Sequence, residues 1–213
     1  IKICHRNGTM PLVVGGTGLY ITTLIDNFYI PRVPPNLKLR ASLEIKEIKE
    51  LVSLLAILDP AGAVSIDNSN KRRIIRALEV CIFSGKPFSE QKKKGEQMFQ
   101  FLIIGIDVPR EVLYERINKR IDAMMEKGLL EEVKELVKRK YSWDLPSMSG
   151  IGYRQFRSFL EGKISLNECV ELLKRDTRHY ARRQMAWFRR EKNIIWCKEY
   201  EEAEQHIADF LQK

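Results

Sequence analysis

Apolar positions along this chain switch between the two-residue period of a strand and the 3.6-residue period of a helix, and the switches mark its elements. Leu12, Val13 and Val14 form a short β-branched-rich run that breaks into Gly15 and Gly16, with Thr17 placed to cap a helix over Gly18 to Ile25. The pattern predicts a buried strand, a glycine turn and a helix N-terminus, entered from a helix-to-strand passage, HRNGTMPLVV. Pro31, Pro34 and Pro35 forbid regular structure in NFYIPRVPP. Residues 36–58 then carry helical spacing at Leu37, Leu43, Ile48, Leu51 and Leu55 beneath a charged outer face, which predicts a helical insertion packed on one side. Asp59-Pro60 starts a short helix, and Ser69-Asn70 can cap another over Lys71 to Phe83, closed at Gly85 with Pro87 behind it.

The second half opens on FLIIGIDV, residues 101–108, whose continuous apolar character predicts a strand covered on both faces. Val112 to Lys127 and Leu129 to Lys140 read as two helices broken at Gly128, and a short helix ends near Gly162. Ser165 caps a long helix to about Arg190, with a Ser-x-x-Glu box through Glu168. Ile194 to Cys197 is a last short strand and Ala203 to Leu211 a closing helix. Strands alternating with helices predict an α/β fold with a parallel sheet. Three strands are too few for a doubly wound sheet; the others are expected ahead of Ile1, which is not a methionine, so the chain reads as a fragment.

Composition narrows the classes. With 44% hydrophobic residues over 213, the chain can bury a core and carry an insertion. No apolar stretch approaches the ~20 residues needed to span a bilayer, and the N-terminus lacks the apolar centre of a signal peptide. Cys4, Cys81, Cys169 and Cys197 make no C-x-x-C, and His5, His179 and His206 complete no zinc spacing. Reduced cysteines, no metal site in the chain and a cytoplasmic location are expected. The net charge of +9 favours an anionic partner such as nucleic acid or diphosphate.

Where the charge sits matters more than its sum. The turn Gly15-Gly16-Thr17 suits a phosphate or a nucleotide edge, although an ordinary strand-to-helix turn has the same pattern, and neither G-x-x-x-x-G-K-[ST] nor G-x-G-x-x-G is present. Arg116 and Arg120 share one helix face beside the stripe Leu113, Ile117, Ile121 and Met124, with no acid three or four positions away. An external anion would offset them, and so equally would acids elsewhere in the fold. Arg72, Arg73 and Arg76 crowd a helix N-terminus, where the dipole disfavours cations, with Glu79 in reach of Arg76 alone. On the long helix, Arg175, Arg178, Arg182 and Arg189 fall in a narrow sector opposite Leu173, Tyr180, Trp187 and Phe188. A solvated face is the usual meaning of such a stripe; its single sign suits a phosphate backbone better. Ser149, Gly150, Ile151, Gly152, Tyr153 and Arg154 combine two glycines, an aromatic and an arginine, a combination suited to close approach by a nucleotide.

Five blocks, PLVVGGTGLYI, NKRRIIRALEV with SGKP after it, RINKRID-MMEKGL-EEV, LPSMSGIGYRQF and TRHYARRQMAWFRR, together resemble the tRNA dimethylallyltransferases (tRNA isopentenyltransferases) in order and spacing, from near Pro11 to about Arg190. The resemblance implies a P-loop-related α/β core over 1–30 and 70–213, incomplete at its N-terminus, with a tRNA-contacting helical insertion over 31–69 and a helical C-terminal part. It implies transfer of a dimethylallyl group from dimethylallyl diphosphate, with Mg2+, to N6 of the adenosine beside the anticodon. In family terms Thr17 lies by the flipped base, Gly15, Gly16 and Thr17 contact the tRNA, and Thr17, Arg116 and Arg120 form the catalytic set. Arg120, with Arg116, grips the diphosphate. Arg40, Arg72, Arg73, Arg76, Ser149 to Arg154, Arg175, Arg178 and Arg182 face the tRNA anticodon stem-loop. Some members carry an arginine where Ser149 stands. The family's P-loop and the aspartate that serves as general base precede the GGTGLY strand and do not occur in these 213 residues, so this chain alone is expected to be inactive. A monomer that binds no membrane is expected. A nucleotide kinase-like P-loop fragment and a non-catalytic tRNA-binding remnant are the alternatives.

Overall fold

A computed structural model describes residues 1–91 and 93–212; positions 92 and 213, both inside the expected 70–213 span, lie outside the described residues. The chain divides into two compact units, 1–101 and 102–213, and is a mixed, mainly helical protein with a small parallel two-stranded sheet.

The first unit contains α1 (Lys2–Arg6), α2 (Gly18–Ile25), α3 (Leu37–Glu44), α4 (Ile48–Leu58), α5 (Pro60–Ser65), α6 (Lys71–Ser84) and α7 (Phe88–Gln91). Its core joins Leu43 of α3, Leu51 and Leu55 of α4 and Ala63 of α5 to Ile74, Ile75, Ala77, Leu78 and Cys81 of α6. The helices expected as an insertion over 31–69 therefore share one core with the helix that follows them. Asparagines cap two of them: Asn36 Oδ1 accepts from Leu39 N at 2.9 Å, and Asn70 Oδ1 from Arg73 N at 3.2 Å. Asp59, 1% exposed, accepts from Gly62 N (2.8 Å), Ser89 N (2.7 Å) and Ser89 Oγ (2.6 Å), so one carboxylate caps α5 and ties α7 to it. Gly85, at φ +65°, ends α6 in the left-handed conformation that glycine adopts without strain.

The expected strand at Leu12 to Val14 does not form. The segment is irregular, and Leu12 and Val14 are each 86% exposed. A strand is defined by its neighbours, and among the described residues none pairs with this run. Extended pairing in this unit occurs instead where Phe28 and Lys94 form an isolated antiparallel bridge, flanked by Tyr29 N to Lys93 O (3.0 Å) and Gly95 N to Asn27 O (3.0 Å).

The second unit runs β1 (Ile103–Ile106), α8 (Arg110–Glu126), α9 (Leu129–Lys138), α10 (Phe156–Leu160), α11 (Leu166–Phe188), β2 (Ile194–Cys197) and α12 (Tyr200–Leu211). The strands pair in parallel, Ile103 with Ile194 through Ile106 with Cys197. β1 was expected to be covered on both faces; among the described residues it pairs with β2 alone and is only half-buried, with Ile106 exposed. Gly128, at φ +94°, breaks α8 from α9. Ser165 and Glu168 form the reciprocal capping box of α11. The core gathers Ile121 of α8, Leu129, Leu130 and Val133 of α9, Phe156 of α10, and Cys169 and Leu173 of α11.

Candidate functional site

In the first unit, Thr17 stands at the N-cap of α2, exposed and without a side-chain cap bond. The side of Gly15 on which a Cβ would project is open space, so the turn leaves room for a ligand's approach. Arg40 of α3 and Arg76 of α6 converge on Glu79, which is fully buried. Arg40 donates through Nε to Oε1 (2.9 Å) and through Nη2 to Oε2 (2.7 Å); Arg76 donates through Nη1 to Oε2 (2.5 Å) and through Nη2 to the Val33 carbonyl (2.9 Å). Asn36 N adds a bond to Oε1 at 2.7 Å. The Arg40 hydrogen bonds lead these contacts in holding the Glu79 carboxyl at about 2, far below its ordinary value, against the opposing effect of burial. Arg72 and Arg73 project from the first turn of α6 and are exposed; Asp67 lies in electrostatic reach of Arg73.

Sequence reasoning found the Arg76–Glu79 pair from its i+3 spacing and named Arg40 as a tRNA contact, but missed the pairing of Arg40 with Glu79, 39 positions away. A concave opening of about 490 Å³, lined by Tyr29, Lys86, Glu90, Lys93, Lys94 and Gly95, also escaped it. There Lys94 pairs with Asp26 at 2.8 Å.

In the second unit, Arg116 and Arg120 lie one turn apart on α8, and neither has a hydrogen-bond or ion-pair partner among the described residues. Both are exposed, beside the half-buried to buried stripe of Leu113, Ile117, Ile121 and Met124. Their mutual repulsion is accordingly solvent-screened, on the order of 0.2–0.5 kcal/mol. Other polar residues of α8 do pair: Asp122 with Lys174 (2.7 Å), Glu115 with Lys119 (2.8 Å), and Asn118 Oδ1 with Arg178 Nη1 (2.7 Å).

The stripe on α11 is less one-signed than its sequence implies. Arg175 pairs with Asp176 at 3.2 Å, Arg178 is taken up by Asn118, and Arg189 stands 3.9 Å from Asp107. Glu168 and Glu171 line the same shallow groove of about 420 Å³ as Arg175 and Arg178. Arg182 is exposed with no such partner among the described residues. The seam behind the stripe is buried at Leu173 but open at Tyr180 and Trp187.

The turn from Ser149 to Arg154 precedes α10. Ser149 Oγ donates to the Pro146 carbonyl at 2.7 Å, and the Tyr153 hydroxyl donates to Glu132. Gly152 sits at φ +113°, a conformation L side chains rarely adopt. Arg154 pairs with Asp176 at 2.9 Å, so the turn and the stripe share that acid. The turn residue Arg154 and the helix residue Arg175 are thus brought together; Arg116 and Arg120 stand apart from ion pairs.

No group of three or more His, Cys, Asp or Glu side chains able to hold a metal ion occurs among the described residues. No helix among them is long and apolar enough to cross a membrane.

A family model described as IPP transferase matches residues 1–191. A tRNA dimethylallyltransferase of Roseiflexus sp. (strain RS-1) is 47% identical over 192 residues, covering 88% of this chain and 63% of that protein. One from Pelotomaculum thermopropionicum is 47% identical over 204 residues, covering 93% of this chain and 65% of its own length. The chain thus spans less than two thirds of these curated relatives. Among solved structures, the full-length tRNA isopentenylpyrophosphate transferase of Bacillus halodurans superposes with a TM-score of 0.62 at 34% identity, over 99% of this chain and 68% of that one. A eukaryotic dimethylallyltransferase acting on tRNA gives 0.71 at 26% identity, over 99% and 57%. In sequence and in fold alike, the chain belongs to the IPP transferase family.

Proposed function

We propose that this chain carries the tRNA-facing part and one wall of the diphosphate site of a tRNA dimethylallyltransferase, which transfers a dimethylallyl group to N6 of the adenosine 3′ of the anticodon. The observation that carries the diphosphate assignment is the pair Arg116 and Arg120, two exposed guanidiniums a helical turn apart with no acid paired to them among the described residues. In the reaction the N6 lone pair forms a C–N bond at the allylic carbon as the C–O bond breaks. The diphosphate leaves with the electron pair, and the N6 proton passes to a base. Charge therefore grows on the leaving group, and preorganised cations stabilise it. Arg120, assisted by Arg116, takes that role, and Mg2+ enters with the diphosphate as part of the substrate.

Adenine N6 is a weak nucleophile, so the base must leave its stack and meet a general base in a site sheltered from water. Thr17 and the Gly15-Gly16 turn are assigned to the flipped base. These 213 residues contain no G-x-x-x-x-G-K-[ST] loop, and no acid among them is assigned as that base. We expect the chain alone to show no prenyl transfer. Fused to the part of the Roseiflexus relative that it does not match, and assayed with dimethylallyl diphosphate, Mg2+ and tRNA, it should turn over. Arg120→Ala should then cost about 100-fold or more in turnover while tRNA affinity holds, and Arg120→Lys should recover only part, because an ammonium lacks the bidentate fork. Turnover by the 213-residue chain, or full activity of the Arg120→Ala fusion, overturns the reading.

A further inference from the structure

Gly152 donates its main-chain N–H to Gln155 Oε1 at 3.1 Å, and Gln155, 6% exposed, donates through Nε2 to Asp176 Oδ2 at 2.9 Å. Arg154 Nη2 reaches the same oxygen at 2.9 Å, while Arg175 reaches Oδ1 through Nε (3.4 Å) and Nη2 (3.2 Å). One carboxylate on α11 thereby receives the turn's amide relay and both neighbouring arginines. We propose that Asp176, acting through Gln155, is a positioning residue that sets the Gly150–Arg154 turn and the Arg154 and Arg175 guanidiniums in the geometry that receives an unstacked RNA base and its phosphate. The inference rests on the tRNA-facing reading of this turn and goes beyond it.

The chemistry allows one arrangement. An ionised carboxylate only accepts, so the amide end of Gln155 must point at Asp176 and its carbonyl end at Gly152. Burial opposes ionisation, but donors from Gln155, Arg154 and Arg175 outweigh it and hold the Asp176 carboxyl below its ordinary value. Without the carboxylate, Gln155 is free to flip, and the buried Gly152 amide loses its acceptor in a backbone conformation that is already unusual. Two arginines fixed beforehand also lose less side-chain freedom on taking a phosphate.

The sign of the effect separates positioning from charge. Removing an acid from a basic surface strengthens binding of a polyanion if charge alone matters; removing a positioning residue weakens it. The probe is a short RNA stem-loop with adenosine 3′ of the anticodon, its Kd measured across salt concentrations, together with hydrogen exchange of the Gly152 amide by NMR. Asp176→Ala should weaken binding about 10-fold and speed Gly152 exchange, while the buried α11 amides of Cys169 and Leu173 stay protected. If Asp176→Ala fails to fold, Asp176→Asn keeps the volume and is read the same way, because an asparagine both donates and accepts and so no longer fixes the Gln155 orientation. Equal or tighter binding by the folded variant, or an unchanged Gly152 amide, overturns the inference alone. A wild-type chain that does not bind the stem-loop overturns the functional reading beneath it.

Discussion

A carboxylate enclosed by two guanidiniums and a main-chain amide is stabilised as the anion, and Glu79 is the plainest case in this protein. Its carboxyl titrates near 2 in the folded chain, whereas an unfolded glutamate sits at the ordinary value of 4.5. A depressed native value adds stability that is fully present above the unfolded value and is lost as pH falls from about 4.5 through 2. The span corresponds to about 3 kcal/mol. Urea unfolding at neutral pH and at pH near 3 should show about 2 kcal/mol of that loss in the wild type, and Glu79→Gln should be less stable at neutral pH and lose most of the difference between the two. An unchanged pH dependence in Glu79→Gln would assign it to other acids. The same residue marks the limit of reading a site from sequence. Arg76 and Glu79 are visible because helical neighbours three apart meet; Arg40 comes from another helix, and no local spacing announces it. Asp176 was passed over in the sequence, because its link to the turn through Gln155 exists only once α10 and α11 pack.

Elements were legible where a cap or a glycine punctuates them. Asn70, Gly85, Gly128 and Ser165 fall at the boundaries their chemistry demands, because a cap acts over three or four residues of the same chain. The run Leu12 to Val14 misled because its apolar character describes a strand only if another strand lies alongside, which is not a local property. The caps also differ in what they hold. The Ser165 box closes one helix end, and Ser165→Ala should cost about 1 kcal/mol. Asp59 caps α5 and fastens Ser89 of α7, and a Cβ on Gly62 would stand 2.1 Å from its Oδ2. Gly62→Ala must therefore displace the carboxylate from all three donors, and a loss of about 3 kcal/mol is expected from the orphaned buried groups. Parallel chemical denaturation of the two variants checks the order; a Gly62→Ala protein as stable as Ser165→Ala would show that Asp59 yields without loss.

For the whole molecule, the count of 37 lysines and arginines overstates what an RNA would meet, since Arg40, Arg76, Arg154 and Arg175 are already engaged with acids. An exposed arginine that takes up a phosphate should add roughly 0.7 to 0.9 to the slope of log affinity against log salt. Arg72→Ala and Arg182→Ala should each lower the slope by about that much, and Arg40→Ala by less, because removing it also unmasks Glu79. A flat salt dependence in the wild type would make these surfaces merely solvated. Folding follows from another feature. β1 and β2 open and nearly close the second unit yet pair directly, with every helix from α8 to α11 strung between them. The intervening helices make their contacts at shorter sequence separation, whereas this ladder must close the longest loop in the unit before gaining any hydrogen bond. It is therefore expected to assemble late, and Gly105 shows how closely the strands pass: a Cβ there would stand 2.6 Å from the Trp196 ring, so the crossing admits only a bare backbone.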